Sequence, residues 1–219
     1  MLGPVSAPVA ARLTCGVMEV DRPAGYRPRL TPPRVALRDP STWLHWIDEA
    51  FAAQPSRTWH SRSVWHRIAT ARRHELHWLS AERFESLELA ALLHDVGRAL
   101  DPENTEPHGF VGARFLDAVG LHDVAPLVAH HSGALFEAAD RNMSDLNVWL
   151  SDAELLAILT YTDRTTSPHG ESVTLEDRRA ELANRYSHDA AQVRWFDQSL
   201  DTAQWGARLF NPSASSIVA

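Results

Sequence analysis

The residues best placed to do chemistry in this chain are the adjacent pair His94 and Asp95, which end the apolar run Leu92-Leu93-His94-Asp95-Val96-Gly97. An imidazole and a carboxylate are both costly to bury without partners, and a metal ion would satisfy both at once. Two other His-Asp pairs, His122-Asp123 and His188-Asp189, sit in polar, turn-like sequence and read as surface. Only the first pair ends a strongly apolar segment and is followed by glycine.

Four further residues offer metal-ligating atoms from other parts of the chain: His66, His108, His130 and Asp163. Each falls at or near the end of a different helix expected from the sequence, as suits a bundle whose helix ends meet at one pocket. Imidazoles mixed with carboxylates suit iron, manganese or zinc better than magnesium or calcium, which favour oxygen-only shells. Six ligands exceed what one catalytic ion with open positions needs, and they are about right for two ions sharing a bridging carboxylate.

The elements that must position these residues follow from periodicity. Residues 80–95 read as a helix apolar around most of its circumference, with Ser80 as N-cap, Glu82 in the first turn and Gly97 as the C′ residue. Asp39-Pro40-Ser41 opens an earlier helix through Trp43, Trp46, Ile47 and Phe51, ended by Gln54-Pro55. A longer helix from about residue 57 or 60 carries a stripe of Trp65, Ile68, Ala69, Leu76 and Leu79, flanked by His66. Helices are expected over 108–120 and 121–131, then from the Ser151-Asp152 cap to Asp163, from the Thr174 cap to Tyr186, and over 190–210. Small residues at Gly109 and Gly112 would let their helix pack closely on a neighbour. Residues 134–150 are mixed in character. No long alternating pattern appears, so the chain reads as all-α.

Composition sets limits. The 219 residues suit one domain, over 38–210, with a disordered leader over 1–37 and a flexible tail over 211–219. The leader is rich in proline and has no sustained period. Net charge is -7, all basic residues are arginine, and no basic run appears, which argues against general nucleic-acid binding. A small anionic substrate is still open, because a metal supplies local positive charge. Cys15 is the single cysteine, so neither an internal disulfide nor a thiolate cluster is expected. There is no candidate membrane span and no signal-peptide pattern, and the expected location is cytoplasmic. Nothing here sets an oligomeric state.

The order His66, His94-Asp95, Asp163 resembles the HD-domain superfamily of metal-dependent phosphohydrolases, over roughly residues 41–186. Ala71-Arg72-Arg73, the Leu-Leu-His-Asp-Val-Gly block, and Leu-Val-Ala-His-His-Ser-Gly at 127–133 are similar to it. The most specific match is Tyr161-Thr162-Asp163-Arg164-Thr165-Thr166-Ser167-Pro168-His169-Gly170 with Val173-Thr174-Leu175-Glu176-Asp177-Arg178, which is similar to small bacterial HD proteins of the HDIG type.

The resemblance implies an HD helical bundle in which His66, His94, Asp95 and Asp163 hold a first metal. His108 and His130 match the extra histidines of a binuclear branch, with Asp95 bridging. His131 would stand behind them, although it could exchange with His130. Arg98 falls where some relatives carry a lysine that contacts substrate phosphate. Ser63-Val64-Trp65 departs from the Arg-Trp-x-His run usual before the first histidine, so His60 and His74 compete with His66. A Gly-Tyr-Pro signature is absent after His131, which argues against a cyclic dinucleotide substrate. The implied activity is hydrolysis of a nucleotide or other small phosphate ester, with His94, Asp95 and Asp163 at the catalytic centre. The alternatives are a di-iron oxygenase of the same ligand set and a non-catalytic nucleotide-binding module.

Overall fold

A computed structural model of the chain describes residues 12–14, 17–19, 30–34, 36–143, 150–187 and 190–210. The chain divides into two units, Met1–Pro32 and Pro33–Ala219. In the first, strand β1 (Arg12–Thr14) pairs antiparallel with β2 (Val17–Glu19), Leu13 opposite Met18. The sequence reading did not anticipate this pairing. The rest of the expected leader up to residue 29, Cys15, the tail over 211–219 and the pair His188-Asp189 lie outside the described residues.

The second unit is all-α. Helix α1 (Pro40–Ala50) starts where Asp39 accepts a hydrogen bond from the Ser41 amide at 2.9 Å, with Pro40 in the first turn. It buries Trp43, Trp46 and Ile47, and Trp46 stacks on Phe115 at 5.4 Å between centroids. Helix α2 (Pro55–Ala71) also begins on proline. It stops at Ala71, short of the expected end near residue 79. The Ala71 carbonyl accepts from the amides of His74, Glu75 and Leu76, and this turn delivers Leu76 and Leu79 to the core.

Helix α3 (Ala81–Leu93) is the central element, capped by Ser80 as expected and buried from Leu87 and Leu89 through Leu93. Helix α8 (Ala153–Arg164) runs beside it, capped by Asp152, whose carboxylate accepts from the amides of Glu154 and Leu155. The same carboxylate receives two hydrogen bonds of 2.9 Å from Arg83 in the first turn of α3. The two helices are thus tied at their starts. Arg83 to His94 and Asp152 to Asp163 are equal lengths of chain, and a helix rises about 1.5 Å per residue, so the two ends arrive together.

The short helix α4 (Val96–Leu100) follows α3 after a break at His94 and Asp95. Gly97 is therefore inside a helix and does not terminate one, contrary to the expectation. Its missing side chain serves packing: a Cβ there would lie 1.8 Å from the carbonyl oxygen of His108. That oxygen belongs to α5 (His108–Ala118), which also closes onto its neighbours through Gly109 and Gly112, as expected from their size.

Helix α6 (Ala125–His130), a 3-10 turn (His131–Gly133) and α7 (Ala134–Asp140) come next. Residues 144–149 lie outside the described residues. Helix α9 (Leu175–Tyr186) is capped by Thr174. The expected single helix over 190–210 is two, α10 (Ala191–Gln198) and α11 (Leu200–Phe210), because Ser199 leaves helical geometry and its hydroxyl donates back to the Phe196 carbonyl. Leu182 and Ala183 of α9 pack with Val193 and Phe196 of α10. Among the described residues no helix is long and apolar enough to cross a membrane.

Candidate metal centre

Four imidazoles and two carboxylates meet where α3 and α8 end. The rings of His60, His94, His131 and His108 follow one another edge to face, with centroids 5.2, 5.1 and 5.0 Å apart. Asp163 lies 2.8 Å from His60 Nε2 and 3.6 Å from His94 Nε2 through one oxygen, Oδ1. Asp95 presents Oδ1 to His108 Nε2 at 3.3 Å and Oδ2 to His94 Nε2 at 3.8 Å. All six residues are buried.

The backbone fixes the tautomer of three of these rings. His94 Nδ1 donates to the Ala91 carbonyl at 2.8 Å, and His131 Nδ1 donates to the Val128 carbonyl at 2.7 Å, each three residues back. His60 Nδ1 donates to the Ser167 carbonyl at 3.1 Å. With the proton on Nδ1, each Nε2 turns a lone pair toward the same space. His94 Nε2 is buried with no hydrogen-bond partner. His60 Nε2 faces a carboxylate oxygen, acceptor against acceptor, and His131 Nε2 faces His108 Nε2 at 3.2 Å. A cation between them resolves this. An imidazole whose second nitrogen donates to a backbone carbonyl is the usual form of a metal-ligating histidine.

The electrostatics agree. Burial lowers the basicity of His94, pushes His108 down to about 4 and, with His108 and His94 beside it, pushes His131 down to about 3, so these rings are neutral and ligand-competent. Burial alone would raise Asp95 and Asp163. Arg98 and Arg57 beside Asp95, and the His60 and His94 imidazoles beside Asp163, outweigh it and hold both carboxyls well below the usual carboxylate range. Two sets of donor atoms lie close enough to hold an ion: His60 with His94 and Asp163, and His94 with Asp95 and His131.

The structure sorts the sequence candidates. His94, Asp95, His108 and Asp163 meet in the centre. His66 does not: it is exposed on α2. Six residues at about 100° each put it roughly 120° around the helix from His60. His60 reaches the centre in its place, on the same buried stripe as Val64, Ile68 and Ala71. His130 turns its ring edge-on to Phe110 at 6.0 Å and lies outside both donor sets. Helix α6 ends at His130 and the backbone becomes extended at His131, which brings His131 inward. Arg98 holds Asp95 with Nε at 2.8 Å. His74 is exposed. Of the other pairs, His122 and Asp123 are both exposed, as expected; His122 bonds Asp117, and Asp123 accepts from Arg38 and Ser86.

Sequence reasoning missed three supports. Arg57 donates to Asp95 Oδ2 at 3.0 Å. Arg67 donates to the Thr165 carbonyl at 2.7 Å and to the Thr166 hydroxyl at 2.8 Å, fixing the end of α8 that carries Asp163. Ser132, at a left-handed φ of 54°, donates to Asp163 Oδ2; such strained positions cluster at functional sites. The centre opens into a cavity of about 180 Å³ lined by Asp95, His108, His131 and Asp163 together with arginines, among them Arg57, Arg98, Arg164 and Arg178.

No curated protein and no solved structure matches the chain. The HD domain family matches residues 58–197, a span that begins just before His60 and contains all six residues of the centre. Members of that family are generally metal-dependent hydrolases that bind divalent ions, and the donor set described above fits such an ion. The chain belongs to the HD domain family.

Proposed function

We propose that the protein is a metal-dependent phosphohydrolase acting on a nucleotide or other small phosphate ester. The observation that carries this reading is the common tautomer of His60, His94 and His131, which aims three Nε2 lone pairs at Asp95 and Asp163. His60, His94 and Asp163 would hold one divalent transition metal, and His108 and His131 would hold a second, with Asp95 shared between them. Iron, manganese and zinc suit this mixed nitrogen and oxygen set. When bound, such ions lower the pKa of water and neutralise charge on phosphoryl oxygens.

The chain's own residues supply the rest. Arg98 and Arg57 converge on Asp95 from the cavity side and stand ready to bind an anionic phosphoryl oxygen, Arg in particular offering paired donors. Asp163, ionised and held by Ser132, is placed to orient a water. The backbone carbonyls of Ala91 and Val128 keep the imidazoles from rotating away. The test is elemental analysis of purified protein, followed by a panel of phosphomonoesters and phosphodiesters with the metals found. Turnover that is lost on chelation and restored by the same metal supports the reading. Two irons per chain with oxygen consumption and no hydrolysis would replace it by the di-iron oxygenase. An intact metal site without turnover of any ester would point to a binding module.

A further inference from the structure

The cavity carries more positive charge than the proposed hydrolysis of a single phosphoryl group needs. Arg164 follows Asp163 at the end of α8 and is 9% exposed. Its guanidinium is fixed over the Phe196 ring at 4.6 Å, and Nη2 donates to the Ser132 carbonyl at 2.6 Å and to the Ser199 hydroxyl at 3.2 Å. These acceptors are neutral, and Arg164 Nε is buried with no partner. Among the described residues Arg164 makes no ion pair.

Two more arginines of the cavity, Arg178 and Arg185 on α9, share one carboxylate, Glu181, and Arg178 Nε is likewise buried without a partner. Six arginines line the cavity against three carboxylates, Asp95, Glu137 and Asp163, in a chain whose net charge is -7. Buried cations in excess of carboxylates are destabilising in the free protein, so their retention around a cavity calls for an anion. Arg57 and Arg98 are engaged by Asp95, which leaves Arg164 and Arg178 to form a second anion subsite.

We infer that the substrate carries a second anionic group, phosphoryl or carboxylate, apart from the phosphoryl group at the metal centre, and that Arg164 with Arg178 binds it. This rests on the hydrolase reading and narrows it to substrates with two separated anions. Simple phosphomonoesters of neutral alcohols would then be poor substrates.

The test uses the full chain stripped of metal, because the probes chelate, and calorimetry at constant ionic strength. Methylphosphonate offers one anionic group, and pyrophosphate and phosphonoacetate offer two. A charge-assisted hydrogen bond is worth about 1.5–3 kcal/mol, so the two-anion probes are expected to bind roughly 10- to 100-fold tighter than methylphosphonate. Arg164→Gln should erase most of that ratio while leaving methylphosphonate within about twofold. Arg178→Gln should lower it in the same direction and serves as the measurement if circular dichroism shows Arg164→Gln unfolded.

Loss of the ratio for pyrophosphate alone assigns the second group as phosphoryl; loss for both probes admits a carboxylate. A wild-type ratio near one, or a ratio unchanged in both variants, overturns the subsite. Metal content and turnover of p-nitrophenyl phosphate by the wild-type protein report on the hydrolase reading independently. A metal-loaded, active enzyme with a ratio near one refutes the subsite alone, and a tight two-anion ratio in a protein that binds no metal refutes the hydrolase alone.

Discussion

Replacing His60 by alanine separates the centre seen in the structure from the one expected around His66. His60 is 2% exposed and its Nε2 lies 2.8 Å from Asp163 Oδ1, so the change removes the ring that faces that carboxylate. The lost Nδ1 hydrogen bond to the Ser167 carbonyl costs about 0.5–1.5 kcal/mol and the cavity adds roughly 1–2 kcal/mol, a total of about 1.5–3.5 kcal/mol without metal. Removing a residue that merely supports a ligand weakens metal binding about 10- to 100-fold, so removing the ligand itself should exceed 100-fold. His66→Ala, on an exposed helix face, should stay within about 0.5 kcal/mol and keep its metal.

The assay is competition with a chromophoric chelator for metal Kd, paired with urea unfolding with and without metal. Metal at about 100 times Kd adds roughly 2.7 kcal/mol to wild-type stability, a gain His60→Ala should lack and His66→Ala should retain. His60→Gln, which keeps a polar side chain at the site, covers the case in which the alanine variant does not fold. Wild-type metal affinity in either His60 variant, or loss of metal in His66→Ala, would refute the assignment of His60 to the centre.

Three further outcomes can be checked. His131→Ala and His108→Ala should each leave about one metal per chain by elemental analysis, whereas His130→Ala should bind the wild-type amount and show only lost stability, since its ring packs on Phe110. Gly97→Ala would drive a Cβ onto the His108 carbonyl oxygen, backbone against backbone, and should cost about 3 kcal/mol or more by chemical unfolding. Asp152→Ala removes the N-cap of α8 and should cost about 1 kcal/mol at pH 7. Burial would raise the Asp152 carboxyl, but Arg83 and the Leu155 amide hold its folded pKa below the ordinary value. Its contribution is therefore full above that ordinary value and is lost as pH falls through the folded one, so Asp152→Ala and wild type should converge in stability under acid.

Much of the frame was legible because its signals are local. Ser80, Asp39, Thr174 and Asp152 announce their helices by side chains that bond amides two or three residues on, and the structure shows those bonds. Gly109 and Gly112 announced a close approach. The breaks were less legible, since Gly97 serves a neighbour that arrives from another part of the chain and Ser199 is recruited by Arg164. His66 was misplaced for a related reason. The stripe through Trp65, Ile68 and Leu76 mixes two faces, while Val64, Ile68 and Ala71 share one with His60. A count of matches to a 3.6-residue period that included position 60 would have chosen His60.

The exchange of His131 for His130 has a different origin. Two adjacent residues point to different sides of a helix end, and which one turns inward depends on where the helix stops. At residue 130 it stops because His131 becomes extended and Ser132 takes a left-handed φ, and that conformation is held from outside the segment: the Ser132 hydroxyl bonds Asp163 and its carbonyl accepts from Arg164. The end of α8 thus selects which histidine enters the centre. Asp163 and Arg164 act together here, each holding one polar atom of Ser132, and the Ser132–Asp163 bond still holds the turn that delivers His131 when Arg164 is changed.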